Sequence, residues 1–233
     1  MYLNKTTSLV ASLMLGATAL QAQIVALYDF TSRSAASSVE SALGTASDMA
    51  KSFGVNFAGS VSNSTFDYYD RSNSPLPDSL AGALAAPRYV TFDFTPAEAL
   101  DFTSFTFDLG IYNYTGSAYS VGAFLFSSAT GFDSIEASLG GGTFDASAGS
   151  GITYTNISVD LTGFEALREA EDTITFRLYY YDTAGISSSE AMVRLDNLAL
   201  SAAPAAAVPE PATLAFLAGA SSLFFAFYRQ RKA

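Results

Sequence analysis

Alternation of apolar and polar residues is the dominant pattern of this chain. Val90, Phe92 and Phe94 alternate with Thr91 and Asp93. Phe105, Phe107 and Leu109 alternate with Thr106 and Asp108, and Ile157, Val159 and Leu161 with Ser158 and Asp160. Ile174, Phe176, Leu178 and Tyr180 alternate with Thr175, Arg177 and Tyr179. Side chains of a strand point to opposite faces in turn, so each run predicts a half-buried strand. Ile24 to Phe30 reads as a first strand, and Tyr119 to Phe126, apolar on both faces, as a central one. Val193 and Leu195 open the last strand. Its apolar phase then switches to Leu198 and Leu200 across Asp196-Asn197, which predicts a bulge.

Glycine, serine, asparagine and proline clusters separate the runs, including Ser72 to Pro77 and Gly140-Gly141-Gly142. The Ala/Ser-rich stretch Ser34 to Ala50 reads as a helix or a long loop. Phe164 to Glu171 has the spacing of one or two helical turns. Seven to nine strands with this punctuation predict an all-β fold, a single β-sandwich of jelly-roll type. No internal repeat is visible.

The two ends break the pattern. Lys5, the uncharged stretch Leu9 to Leu20 and the small residue of Leu20-Gln21-Ala22 predict a secretory signal peptide over 1–22. The sandwich is assigned to 23–200, and the Ala/Pro stretch 201–208 to a linker. At the other end stand Pro209, Glu210 and Pro211, an uncharged span over 212–228, and a basic tail over 229–233 with Arg229, Arg231 and Lys232. The span has the length of a short transmembrane helix, about 25 Å at 1.5 Å per residue. The basic side chains act as a membrane stop on the cytoplasmic side. Both prolines hold their neighbours extended, so the triplet is exposed backbone outside the bilayer.

Charge and composition narrow the chemistry. Apart from the end segments, the exported part has seven basic residues against twenty-one acidic ones, a net charge of −14. Such a surface disfavours nucleic acid and anionic lipid, and favours cations and neutral partners. With neither cysteine nor histidine, the chain has no thiol or Ser-His-Asp nucleophile and no His- or Cys-ligated zinc. A metal would be a hard cation on oxygen ligands, with calcium the expected one. Two carboxylates alone can hydrolyse a glycoside, yet no motif pairs Asp67, Asp70, Asp93, Asp108 or Glu190 across a cleft. A non-catalytic domain is expected.

The tail over 208–233 resembles the PEP-CTERM sorting signal of bacterial surface and secreted proteins. That resemblance implies a membrane-embedded exosortase as partner, cleavage near Pro209-Glu210-Pro211, and release to the cell surface or an exopolysaccharide matrix. Thr175 to Tyr181 and Val193 to Leu198 are similar to the closing strands of PEP-CTERM ectodomains, which implies a jelly roll related to carbohydrate-binding modules. Glycan binding needs flat aromatic faces. Without tryptophan the candidates are Tyr68, Tyr69, Tyr112, Tyr114, Tyr119, Tyr179 and Tyr181. The jelly-roll resemblance also implies a structural calcium joining first strand to last, with Asp29, Asp196 and Asn197 as ligands. The alternative is that Asp196-Asn197 only hydrogen-bonds a bulge or turn. A matrix protein with no small-ligand site is the other open reading.

Overall fold

A computed structural model describes residues 21–30, 35–52, 68–69, 76–113, 117–183 and 191–206. Residues 1–20 of the expected signal peptide and the sorting tail lie outside the described residues, as do Asp67, Asp70, Tyr114 and Glu190.

All the long elements are strands, and all pair antiparallel. One sheet holds β1 (Gln23–Tyr28), β11 (Ala191–Pro204), β6 (Leu100–Asn113) and β9 (Gly151–Asp160) in that order. A short β4 (Tyr68–Tyr69) also pairs with β11. The second sheet runs β2 (Gly44–Ala46), β5 (Tyr89–Pro96), β10 (Ile174–Asp182), β7 (Tyr119–Ser127), β8 (Gly140–Ala146), and β3 (Ala50–Lys51) pairs with β5. From β4 to β9 and from β10 to β11, neighbours in sequence either cross between sheets or turn within one.

The alternating apolar positions face a common core. Phe92, Phe94, Phe176 and Leu178 from the second sheet meet Tyr28, Phe102, Phe105 and Leu195 from the first, all buried. Rings cross the interface directly. Phe92 stacks on Phe105 at 6.2 Å between centroids, Phe102 meets Phe176 edge-on at 5.5 Å, and Tyr28 lies 5.0 Å from Phe92. Such ring pairs contribute beyond their buried area. The buried Tyr28 hydroxyl donates to the Ser47 carbonyl at 2.6 Å. Burial, reinforced by the charges of Asp48 and Asp93, holds its phenol well above the ordinary tyrosine range.

The predicted bulge is present. Asp196 pairs with Asp108 and Ala199 with Thr106, so β11 carries one extra residue, with Asn197 at φ +49°. A second shift, between Ser201 and Ala202, places an extra residue on β6 and switches its buried set from Phe102 to Phe105.

Three local expectations change, and the turn expected at Phe164 to Glu171 is present. Ser34 to Ala50 forms no helix in its described part. There the Ser37 and Ser41 hydroxyls accept from the backbone N–H groups of Leu27 and Leu43, competing with helix formation, and β2 follows. The three glycines at 140–142 lie within β8 rather than between strands, because β8 runs close to its neighbours. A Cβ at Gly141 would overlap the Ala123 carbonyl, and one at Gly142 would press on Ile157 of β9. The Ala/Pro stretch is not all linker, since β11 pairs with β6 out to Pro204. Phe164 to Glu171 supplies one 3-10 turn, Glu165–Leu167.

Candidate functional site

The outer face of the second sheet carries a second apolar cluster, separate from the core. Odd-numbered residues of β10 point outward, and even-numbered ones of β7 do the same. Ala83, Phe126 and Tyr179 are buried there, with Leu80, Leu84, Tyr89, Phe124, Phe132, Ala137 and Tyr181 packed around them. Two segments cover this face.

The first is α1 (Leu80–Ala85), preceded by Pro77 and capped by Ser79, whose hydroxyl accepts from the Gly82 N–H at 3.2 Å. Ala83 brings α1 against the sheet and is fully buried. Sequence alternation gave no sign of this helix; the legible signal was Pro77-Asp78-Ser79 before an Ala/Leu run.

The second segment links β7 to β8. Its backbone is pinned by a bridge between Ser127 and Gly131 (φ +97°), by the Thr130 hydroxyl donating to the Ala137 carbonyl at 3.0 Å, and by Ser138 donating to the Leu125 carbonyl at 3.4 Å. This holds Phe132 over the sheet. Between the two segments lies an open groove of about 350 Å³. Ala81, Leu84 and Ala85 form one wall, and Phe132, Asp133, Ser134 and Ile135 the other. That volume falls at the low end of small-molecule sites, roughly 300–1,000 Å³. Ile135 is 48% exposed, unusual for a large apolar side chain here. Behind Phe132, Arg177 stacks its guanidinium 3.9 Å from that ring and 4.6 Å from Tyr89.

The tyrosines nominated from sequence divide between the faces. Tyr179 points outward from the core as expected, but the covering segments leave it 3% exposed; its ring meets Tyr89 at 4.9 Å and Phe126 at 5.2 Å. It has no free face for a sugar. Tyr119 is likewise buried. Tyr181 is half-buried over Gly122, stacked 6.4 Å from Phe124, and burial raises its phenol pKa. Tyr69 pairs with Arg194, and Tyr112 with Met192, so register places these two positions on neighbouring rows of the first sheet. Tyr68 pairs with Leu195 beside them.

The carboxylates nominated from sequence are also separated. Asp93 lies on the outer face of the second sheet and accepts from the Thr175 hydroxyl at 2.7 Å. Asp108 lies on the outer face of the first, accepting at 2.8 Å from both Asn156 Nδ2 and Asn197 Nδ2. The sandwich separates them, so they share no cleft. Asp196 accepts from the Asn197 N–H at 2.8 Å. Asp29 is half-buried at the end of β1. Among the described residues no group of three or more acidic, histidine or cysteine side chains is placed to hold a metal.

No protein-family model matches the chain, and no curated protein does. Among solved structures, a carbohydrate-binding module specific for non-crystalline cellulose is 12% identical over 70% of this chain and 81% of that one, with a TM-score of 0.32. A Stig cyclase from Fischerella sp. TAU is 13% identical over 79% of this chain and 90% of that one, with a TM-score of 0.31. The K3 cleaved adhesin domain of Lys-gingipain from Porphyromonas gingivalis is 12% identical, with a TM-score of 0.27. That match covers 49% of this chain and spans 65% of the adhesin domain, just under two thirds of its length. Binding modules and a cyclase stand together at scores this low, so these likenesses decide nothing about ligand or activity.

Proposed function

We propose that the chain is an exported bacterial surface or matrix protein, sorted by an exosortase through its C-terminal tail, whose sandwich is a non-catalytic glycan-binding module. The observation that carries the binding part is the groove on the outer face of the second sheet. It joins an apolar helix wall to Phe132, an exposed Ile135, and the polar Asp133 and Ser134. Sugar sites combine these parts: an apolar surface for the ring faces, and a few fixed polar groups for the hydroxyls. The strand order supports a jelly roll, since β4-β11-β6-β9 faces β5-β10-β7-β8. The acidic surface supports a partner without dense negative charge.

The sorting part rests on the order Pro209-Glu210-Pro211, apolar span, basic stop. It places the protein in the cytoplasmic membrane before cleavage and at the cell surface or in exopolysaccharide afterwards. Two experiments test the two parts. Full-length protein in detergent is passed over immobilised neutral polysaccharides; retention is expected, and Phe132→Ala should reduce it at least about tenfold. Absence of retention on every glycan would leave a structural matrix protein. Replacing Pro209-Glu210-Pro211 by three alanines should block the size shift of processing while export continues, and normal processing of that variant would refute exosortase recognition.

A further inference from the structure

Away from the groove, the outer face of the second sheet carries another feature. Tyr181 of β10 pairs with Gly122 of β7, and Gly122 with Thr143 of β8, so the three form one row across the sheet. A Cβ added at Gly122 would meet Cζ, Cε1 and Oη of Tyr181 at nearly equal distances. In the ring plane, a point so evenly placed would sit within a bond length of each atom. The strand therefore meets the ring from above its plane, and Tyr181 lays a face, not an edge, on Gly122. The Phe124 ring is 15° from parallel to it, with centroids 6.4 Å apart. The two rings are offset sideways, and both lie along the sheet rather than stand on it. Gly141 leaves room for Phe124, since a Cβ there would come within 2.9 Å of its Cγ. Both side chains are half-buried, with one face of each turned to the sheet and the other away from it.

A polar border runs beside the rings. Thr143 and Asp145 are exposed on β8, the last strand in the order of this sheet. Asp145 pairs in register with Ser120, whose hydroxyl donates to its carboxylate. Ser120 is fixed in turn, its carbonyl accepting from the Thr183 N–H at 2.8 Å. Two flat apolar faces with placed acceptors at their edge match a pyranose ring. Its axial C–H groups make an apolar face, and its equatorial hydroxyls project at the rim. Asp145 disfavours an anionic sugar at this place.

We propose that Tyr181 and Phe124 form a platform for a neutral, ribbon-like glycan of β-linked pyranoses, with Thr143 and Asp145 taking its hydroxyls. This rests on the glycan-binding reading above and adds to it a second surface and a ligand shape. The shape follows from the rings. Parallel faces set side by side are covered together by a flat chain, whereas a coiled chain touches one at a time.

The test is calorimetric titration of full-length protein, in a detergent without a sugar headgroup, with cellohexaose and maltohexaose. These carry the same glucose units in a flat and a coiled chain. Cellohexaose should bind about tenfold tighter or better, as one added ring contact allows. Tyr181→Ala and Phe124→Ala should each erase that preference. Tyr181→Phe keeps the ring and should retain most of it. Gly122→Ala keeps both rings but pushes Tyr181 off the strand, and should lose the preference as well. Phe132→Ala alters the groove wall and should leave the ratio of the two affinities unchanged. Equal binding of the two oligosaccharides by the unaltered protein, a result that needs no variant to fold, would overturn the platform. So would a preference that survives both alanine variants, and in either case binding through the groove stands. A preference that depends on Tyr181, with polysaccharide retention indifferent to Phe132→Ala, would support the platform and remove the groove. Failure of every glycan would remove both.

Discussion

The two sheets share one core but finish their outer faces in opposite ways. The second sheet covers its central strands with a helix and a pinned loop, turning Phe126, Tyr179 and Ala83 into a second buried cluster. On the first sheet, the row Asp196, Asp108, Asn156 runs in register across β11, β6 and β9 and is tied by side-chain amides. Two acids directly opposite on neighbouring strands repel. The bulge at Asn197 answers this: it brings Nδ2 to one Asp108 oxygen while Asn156 takes the other. Apolar outward residues need an added layer to bury them. Along this row the polar residues close among themselves and stay partly exposed, although Arg194 on the same face is buried. Among the described residues the covered face carries a groove, whose two walls stand above the sheet.

The sharpest way to break this contrast is Tyr179→Ala. Emptying a ring-sized buried site costs about 3–5 kcal/mol. In a domain of this size that lowers the melting temperature on the order of 10 °C. It should also loosen α1 and the Phe132 loop together, seen as faster amide exchange in both. Tyr179→Phe keeps the packing and should cost under about 1 kcal/mol, since the lost contact from Arg177 Nη1 to the Tyr179 hydroxyl is long, 3.5 Å. A thermal melt in which Tyr179→Ala is as mild as Tyr179→Phe would mean the covered face is not a packed layer.

A smaller effect is expected on the open face. Asp108→Ala strands two amide donors, but both can turn to water, and the repulsion with Asp196 disappears. The expected loss is about 1 kcal/mol, a shift of roughly 2–4 °C. A loss approaching that of Tyr179→Ala would show that the polar row carries structural weight comparable to the aromatic cluster.

The contrast also explains what was legible in the sequence. Core strands announce themselves because half their residues are committed to one face, as in Val90-Thr91-Phe92-Asp93-Phe94. The Asp196-Asn197 bulge was legible because it reverses that phase. Helix α1 was not, since six residues of Leu, Ala and Gly carry too few turns for a 3.6-residue period to appear. The glycines of β8 misled in the other direction. Their role is close approach to Ala123 and Ile157, a tertiary fact that local punctuation cannot express. Tyr179 shows the same limit at the site. Strand parity correctly sent it outward, but parity cannot tell that a helix from far earlier in the chain, Leu80–Ala85, covers it. Phe132 and Arg177 escaped notice because neither belongs to a motif; register and loop geometry bring them together.

The smallest effect tests whether the open face holds charge as well as shape. Asp160, at the end of β9, accepts from the Thr162 hydroxyl at 2.7 Å and from its N–H at 2.9 Å. Both bonds favour the ionised form, the side-chain bond more, and hold the carboxyl below its ordinary value. A depressed carboxyl contributes stability that is present above its unfolded pKa and is lost as pH falls through the folded one. The effect therefore lies on the acid side, below about pH 4. The group is fully exposed, so the measurement is the titration itself, followed by the Asp160 carboxyl resonance. Thr162→Val removes the hydroxyl bond and keeps the backbone one, so the pKa should rise most of the way back. Thr162→Ser keeps both bonds and should leave it low. If Thr162→Val titrates like the unaltered protein, the hydroxyl is not what holds the charge. The hydrogen bonds of this face would then fix geometry alone, and the contrast with the charged, ring-clamped Arg177 on the other face would be sharper still.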